Sequence, residues 1–353
     1  MNSIKVEKVF AQKAIDLLGK LNLRDKSKKP KADSKNLFIP VIKLNSDEKK
    51  KLEEELKKNK VKFSFAQSGF EEIKKTPRNL KEELKNKLTE KELRELITSF
   101  NSLGDTAVIE IPDSLKTKEN LIGEALMKLN KGIKVVLKKA SAHEGEFRAH
   151  KVKVIAGEKR TKANYTEHGC KFRISLGKVF FSPRLSTERK RISKLIKKGE
   201  VIGAFFAGVG PFPIVFAKHS KMKKAIAIEL NPKAIEDMKE NIALNKVQGK
   251  VQPILGDVNK IVPEKYRNFF DRVVMPLPKG GENFLETAII SVKKNGVIHY
   301  YQFVEKDSLF KAPLHDIEKA CKKLKKKFKV LRKAEVRKFS PKIVQVVIDF
   351  KVM

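Results

Sequence analysis

VIGAFFAGVGP (201–211) and, one helix further on, AIAIE (225–229) decide how this chain folds. The apolar run 201–206 has the length of a strand, and the turn Ala207-Gly208-Val209-Gly210 ends it. The apolar segment from Pro211 reads as a helix, and the second run, 225–228, leads into Glu229. Strand, glycine turn, helix and a strand tipped by an acid make a unit that suits a nucleoside. Glycines let the backbone approach the ligand, and a carboxylate about 20 residues on can accept both ribose hydroxyls. The turn is G-x-G followed by Phe212-Pro213 rather than the full G-x-G-x-x-G. That argues against a dinucleotide and for a smaller nucleoside such as S-adenosylmethionine. A tight turn in any α/β protein gives a similar pattern.

From residue 182 onward strands and helices alternate. After the opening unit come a helix at 232–245, strands at 251–255 and 271–275, a helix at 283–292 and a strand at 296–301. A helix at 314–328 and two strands near Val330 and Ile343 complete it. The fold class is α/β: a doubly wound, Rossmann-like sheet with crossover helices. Phe206, expected on the cofactor side, ends the first strand; Gly208 and Gly210 follow it, Glu229 ends the second, and Asp257 follows the third within LGDV. In a parallel sheet these carboxyl ends share one crevice. Glu229 is expected to hold the ribose and Asp257 the adenine amino group; a solvated strand end and a helix N-cap are the plainer readings. The fourth strand runs into Met275-Pro276-Leu277-Pro278-Lys279-Gly280. Two prolines fix that backbone and remove its donors, which suits a wall beside a transferring group as well as a rigid turn. Pro278 is assigned to the cofactor side and Lys279 to RNA.

Three domains are expected, 1–75, 76–181 and 182–353, the first two being smaller α+β units. In the first, a strand at 4–6, a helix at 10–21 and a strand at 37–44 are expected. A helix at 46–60 starts at a serine cap, and 61–65 closes a small mixed sheet. The basic stretch 24–36 is polar and proline-broken, and reads as a loop. In the second, helices at 79–87, 90–100 and 116–129 accompany strands at 105–111, 133–138, 150–155 and 171–176. The last two alternate basic and apolar residues, fitting either a platform for a sugar-phosphate backbone or an ordinary solvated sheet face.

Lys and Arg total 79 against 42 acids, a formal charge of +37, while 41% hydrophobic residues suffice for a sizeable core. Such an excess calls for a polyanionic partner, nucleic acid first, because phosphate neutralisation supplies sequence-independent affinity. A Lys-rich proteome would produce the same excess. No apolar run reaches the roughly 18 residues of a membrane span, and the N-terminus lacks a signal-peptide core. Cys170 and Cys321 stand far apart without metal spacing, so no metal is expected and a reducing cytoplasm is the simplest home.

FFAGVGPF (205–212), AIELNPKAIEDMKENIALN (227–245), LGDV, VVMPLPK (273–279) and NGVIHYY (295–301) resemble the S-adenosylmethionine-dependent tRNA guanosine-37 N1-methyltransferases of archaea and eukaryotes. EGEFRAHKVKVIAGEKRT (144–161) and KVFFSPRLSTERKRI (178–192) are similar to that family's middle-domain and junction motifs. The resemblance implies methyl transfer to N1 of guanosine 37, with tRNA (anticodon loop and L-shaped body) as partner and a monomeric enzyme. It implies that Glu188 is the general base, that Arg148 binds the guanine oxygen, and that Arg184 touches RNA. Guanine N1 carries a proton at neutral pH and is a poor nucleophile until a carboxylate accepts it, while a guanidinium steadies the charge on O6. Ala204 stands where the family has Asp in D-x-F-A-G, and Pro276 where it has Asn in N-L-P-K. The rival readings are methylation of, or aminocarboxypropyl transfer to, the wyosine intermediate at the same position, and a non-catalytic tRNA-binding protein.

Overall fold

The computed structural model describes residues 2–73, 77–139 and 151–353. They fall into two compact units, Met1–Arg78 and Asn79–Met353. Arg148 lies outside the described residues.

The first unit is a four-stranded sheet with two helices. Its strands, in spatial order, are Lys31–Ala32, Asn36–Pro40, Ser3–Glu7 and Phe63–Ala66. Every pairing is antiparallel, so the sheet is not mixed. The stretch expected as a plain loop supplies the first strand and the turn of the hairpin Lys31–Ala32/Asn36–Pro40. Asp33 closes its turn by accepting from the amides of Lys35 (2.8 Å) and Asn36 (2.6 Å), an Asx turn that competes well with random coil. The helix Ser46–Lys58 starts one residue earlier than the serine reading had it. Asn45 is the cap and forms a capping box with Glu48, which satisfies two otherwise orphaned donors. Leu52 and Leu56, one helical turn apart, bury its inner face against Ile4, Val6, Leu18 and Ile39.

The second unit opens with helices Leu80–Leu84 and Glu90–Glu95, and its first sheet has strands Phe100–Leu103, Thr106–Ile109, Val135–Lys139 and Val152–Gly157. The helix expected to reach residue 100 stops at Glu95, and Phe100 opens a strand. A hairpin follows, Lys162–Glu167 with Cys170–Ser175. Only its second strand is legible as alternation; Phe172 and Ile174 are buried, and Lys171 and Arg173 face out. Its backbone is held by side chains of the helix Pro232–Leu244 and its C-cap: Asn241 and Asn245 each accept from and donate to it, and Asp237 accepts from the Ser175 amide at 2.7 Å. Arg173 pairs with Glu240 at 2.8 Å. The basic face of this hairpin is thereby partly neutralised rather than a bare phosphate platform.

The large sheet has seven strands: β1 (Val201–Phe205), β2 (Lys224–Glu229), β3 (Val251–Leu255), β4 (Phe270–Met275), β5 (Val292–Glu305), β6 (Phe328–Lys338) and β7 (Ile343–Val352). Their order is β3-β2-β1-β4-β5-β7-β6. Pairings among β1 to β5 are parallel, and β7 runs antiparallel to both β5 and β6. This is the expected doubly wound Rossmann-like sheet, its order reversing between β1 and β4. A helix at Val258–Lys265 escapes sequence reading because Pro263 sits inside it. β5 is longer at both ends than its apolar centre implies. One face packs Phe212, Val215, Met238 and Ile242, the other Phe270, Ile289, Ile317 and Phe350. Ala204, in the middle of β1, is 1% exposed. Among the described residues no helix is long and apolar enough to cross a membrane.

Candidate active site

The order reversal between β1 and β4 opens a crevice at the carboxyl ends of the strands, where open α/β sheets take ligands. A cavity of about 690 Å³ lies there, within the usual range for small-molecule sites. Its floor is the glycine turn. Phe206 and Gly208 both adopt positive φ, +54° and +55°, and for Phe206 that conformation costs about 1–2 kcal/mol. The Phe206 ring is braced edge-on against Phe284, centroids 4.7 Å apart. A Cβ on Gly208 would meet only the Phe180 carbonyl, at 3.7 Å. Space for a ligand therefore adjoins this glycine. Gly210 is different. It is not among the residues lining the cavity, and a Cβ there would lie 2.7 Å from Met238 Cγ. Its bare backbone lets the turn pack on the helix Pro232–Leu244.

Glu229 lines the cavity, and its carboxylate ties the floor together. One oxygen accepts from the Gly208 amide at 2.8 Å, the other from the Asn231 amide at 2.9 Å. Each carboxylate oxygen keeps a further lone pair, so these bonds leave room for ligand hydroxyls. Asp257 also lines the cavity and is at the same time the N-cap of Val258–Lys265, accepting from the Asn259 amide at 2.8 Å. The plainer N-cap reading is the one observed, on a side chain that also borders the cavity. Pro276, Leu277, Pro278 and Lys279 form one wall. The Pro278 carbonyl accepts from the Phe303 amide at 2.8 Å, which fixes that wall to β5.

Phe180, Ser182 and Leu185 also line the cavity. This segment is anchored by a buried pair the sequence did not reveal. Arg189 is 1% exposed, forks onto Glu167 at 2.5 and 2.6 Å, and donates to the Ser182 carbonyl. Arg184 stays exposed on the same segment. Glu188 follows in the first turn of the helix Ser186–Leu195. It is 8% exposed and is not among the residues lining the cavity. Arg191 forks onto its carboxylate at 2.8 and 2.9 Å, and the Tyr301 hydroxyl donates to it at 2.7 Å. Burial and the neighbouring Glu188 charge keep the Tyr301 phenol protonated. Arg191 also reaches Asp349, which accepts from His299.

Sequence reasoning missed the rim: Phe303, Arg337, Phe339 and Gln345. The one local signal is Arg337-Lys338-Phe339-Ser340-Pro341, an aromatic residue set among cations before a proline turn. Phe339 is 57% exposed. Among the described residues no His, Cys, Asp or Glu cluster could hold a metal ion.

The chain matches the family described as TRM5/TYW2 methyltransferase domain over residues 163–331. Residues 80–161 match the TYW2 N-terminal domain and 3–50 the tRNA methyltransferase 5 N-terminal domain. The tRNA (guanine(37)-N(1))-methyltransferase Trm5b of Pyrococcus abyssi is 38% identical over 82% of this chain and 85% of that protein. The solved complex of aTrm5 and tRNALeu superposes with a TM-score of 0.79 at 32% identity, covering 99% of each chain. Methanocaldococcus jannaschii TYW2, solved in complex with AdoMet, gives 0.57 at 28% identity over 72% of this chain and 99% of that one.

Proposed function

The chain belongs to the TRM5/TYW2 methyltransferase family, and from that premise we propose that it transfers a methyl group from S-adenosylmethionine to N1 of guanosine 37 in tRNA. The observation that carries this reading is the cavity built on the glycine turn and Glu229, bounded by a rigid proline wall and a cationic, aromatic rim. Its floor suits a nucleoside and its rim suits RNA.

When bound, S-adenosylmethionine would supply an electrophilic methyl group. The residues that would hold it are Glu229 at the ribose, Asp257 at the base, Gly208 against the backbone, and Phe206 and Pro278 as apolar walls. Placement supplies much of the rate in such a transfer, because two reactants held in line lose little further entropy. Glu188 accepts the N1 proton in this reading. Its Oε2 already receives both Arg191 and Tyr301, while Oε1 receives Arg191 alone and keeps a lone pair for that proton. Arg148 steadies the charge on O6, and Arg184 and Lys279 contact RNA. Residues 1–75 and 76–181 serve as RNA-recognition and tRNA-binding parts.

Incubating unmodified tRNA with protein and S-adenosylmethionine, then mapping the modified nucleoside by mass, tests the reading. One methyl on guanosine 37 is the expected product, and an unmodified transcript overturns it. A second reading, aminocarboxypropyl transfer to a wyosine intermediate, is favoured by the match of residues 80–161 to a TYW2 domain. Label in the methyl or in the carboxyl carbon of the donor separates the two.

A further inference from the structure

We propose that Phe303, Arg337, Phe339 and Gln345, with Arg184 beside them, form a second seat at the cavity rim that takes the RNA nucleotide adjoining the target base. This seat rests on the tRNA-methylation reading. Its construction is a rung of the sheet. Phe303 on β5 and Arg337 on β6 are each registered directly opposite Gln345 on β7, so all three side chains rise on one face. The Arg337 guanidinium lies 5.8 Å from the ring centroids of both Phe303 and Phe339, whose own centroids are 4.5 Å apart. Arg337 Nε donates to Gln345 Oε1 at 2.8 Å, which fixes the amide.

Three features of this rung are unfinished without a ligand. Gln345 is 1% exposed, and its Nε2 has no hydrogen-bond partner among the described residues. A buried donor left in that state costs about 1–3 kcal/mol, and a ligand oxygen would recover it. Among the described residues no ion pair involves Arg184 or Arg337. Burial, and then the charge of Arg184, hold the Arg337 guanidinium below its usual range, so the two cations face each other's field without a counter-ion. A phosphate supplies one. Phe339 offers an exposed ring where an unstacked base can lie. The Phe303 amide bonds to the Pro278 carbonyl, so the seat adjoins the wall proposed to stand beside the transferring group. A hydrophobic cap over a hairpin end would explain the rings but neither the orphaned amide nor the paired cations.

The test is binding of the full-length protein to an unmodified tRNA transcript by fluorescence anisotropy. Two further transcripts carry an abasic nucleotide on the 5′ or the 3′ side of guanosine 37. Phe339→Ala should weaken binding to the intact transcript about tenfold while leaving S-adenosylmethionine affinity unchanged. On one abasic transcript, variant and wild type should bind alike. Equal losses on all three transcripts, or no loss, overturn the stacking role. Arg337→Ala should flatten the log–log salt dependence by about one unit, and an unchanged slope overturns the phosphate role. Circular dichroism of both variants confirms folding. Methyl transfer by wild-type protein, measured alongside, judges the parent reading separately, since binding is read without turnover.

Discussion

Two rungs of the same strand, β7, have opposite fates. At Gln345 the rung runs Phe303, Gln345, Arg337 and faces the cavity with an orphaned donor and no counter-charge among the described residues. Four residues on, Asp349 is registered opposite His299 and Arg332. It accepts from His299 Nδ1 at 2.6 Å and from Arg191 at 2.7 and 3.2 Å. His299 in turn meets Arg272 at 2.8 Å, and Arg272 pairs with Glu200. Arg191 closes the other end on Glu188. Buried polar groups are retained either because the protein satisfies them or because a ligand will. The Asp349 rung is of the first kind, and the Gln345 rung of the second.

The contrast breaks most visibly at Asp349. Asp349→Ala leaves His299 buried without its acceptor and Arg191 with Glu188 alone, and should cost about 3 kcal/mol of folding stability, read from urea unfolding. A loss under 1 kcal/mol would mean that the paired rung is not structural. Glu188 is the crossing point, because it belongs to the paired chain yet is proposed as the general base. Glu188→Gln should depress methyl transfer on the order of 100-fold, with tRNA affinity nearly intact and the deficit shrinking at high pH. Equal rates for both proteins would assign Glu188 to the framework alone.

A pH titration sharpens the same contrast. Burial pushes the Asp349 carboxyl up, but His299 and Arg191 outweigh it and bring it down to about 2. A carboxyl held below its unfolded value near 3.9 contributes stability that is fully present above that pH. The contribution, about 2 kcal/mol, is lost as pH falls through the folded value. Wild type should therefore lose stability between about pH 4 and pH 2, and Asp349→Asn should show a shallower acid slope across that window; parallel slopes would refute the coupling. The smallest effect belongs to the other rung. Gln345→Met removes a donor that has no partner together with the acceptor of Arg337 Nε; the two effects oppose each other, and folding stability should change by less than about 1 kcal/mol. RNA binding should weaken severalfold. A large stability loss with unchanged RNA binding would reverse the distinction between the rungs.

Local chemistry made the floor of the site legible. Gly208, Glu229 and Asp257 each sit at a strand end marked by an apolar run and a turn residue, so their shared crevice follows from sequence order alone. Where competing local signals overlapped, the reading slipped: Asn45 outcompeted Ser46 as a cap, Pro263 hid a helix, and Asp33 folded a hairpin inside a basic stretch. Gly210 shows the limit of motif reading, since a side chain there would meet Met238 and the residue is not among those lining the cavity.

By itself, then, the sequence determined the doubly wound sheet, the glycine turn and acids at its carboxyl edge, and the strongly basic balance of the chain. All three are written in neighbouring residues and in net charge. The tertiary structure alone decided the lock on Glu188, whose partner Tyr301 lies 113 residues away, the burial of Arg189 against Glu167, and the Phe303–Gln345–Arg337 rung. Strand register joins distant segments, and a slip of one residue turns every side chain to the other face. No local pattern encodes which charges will meet.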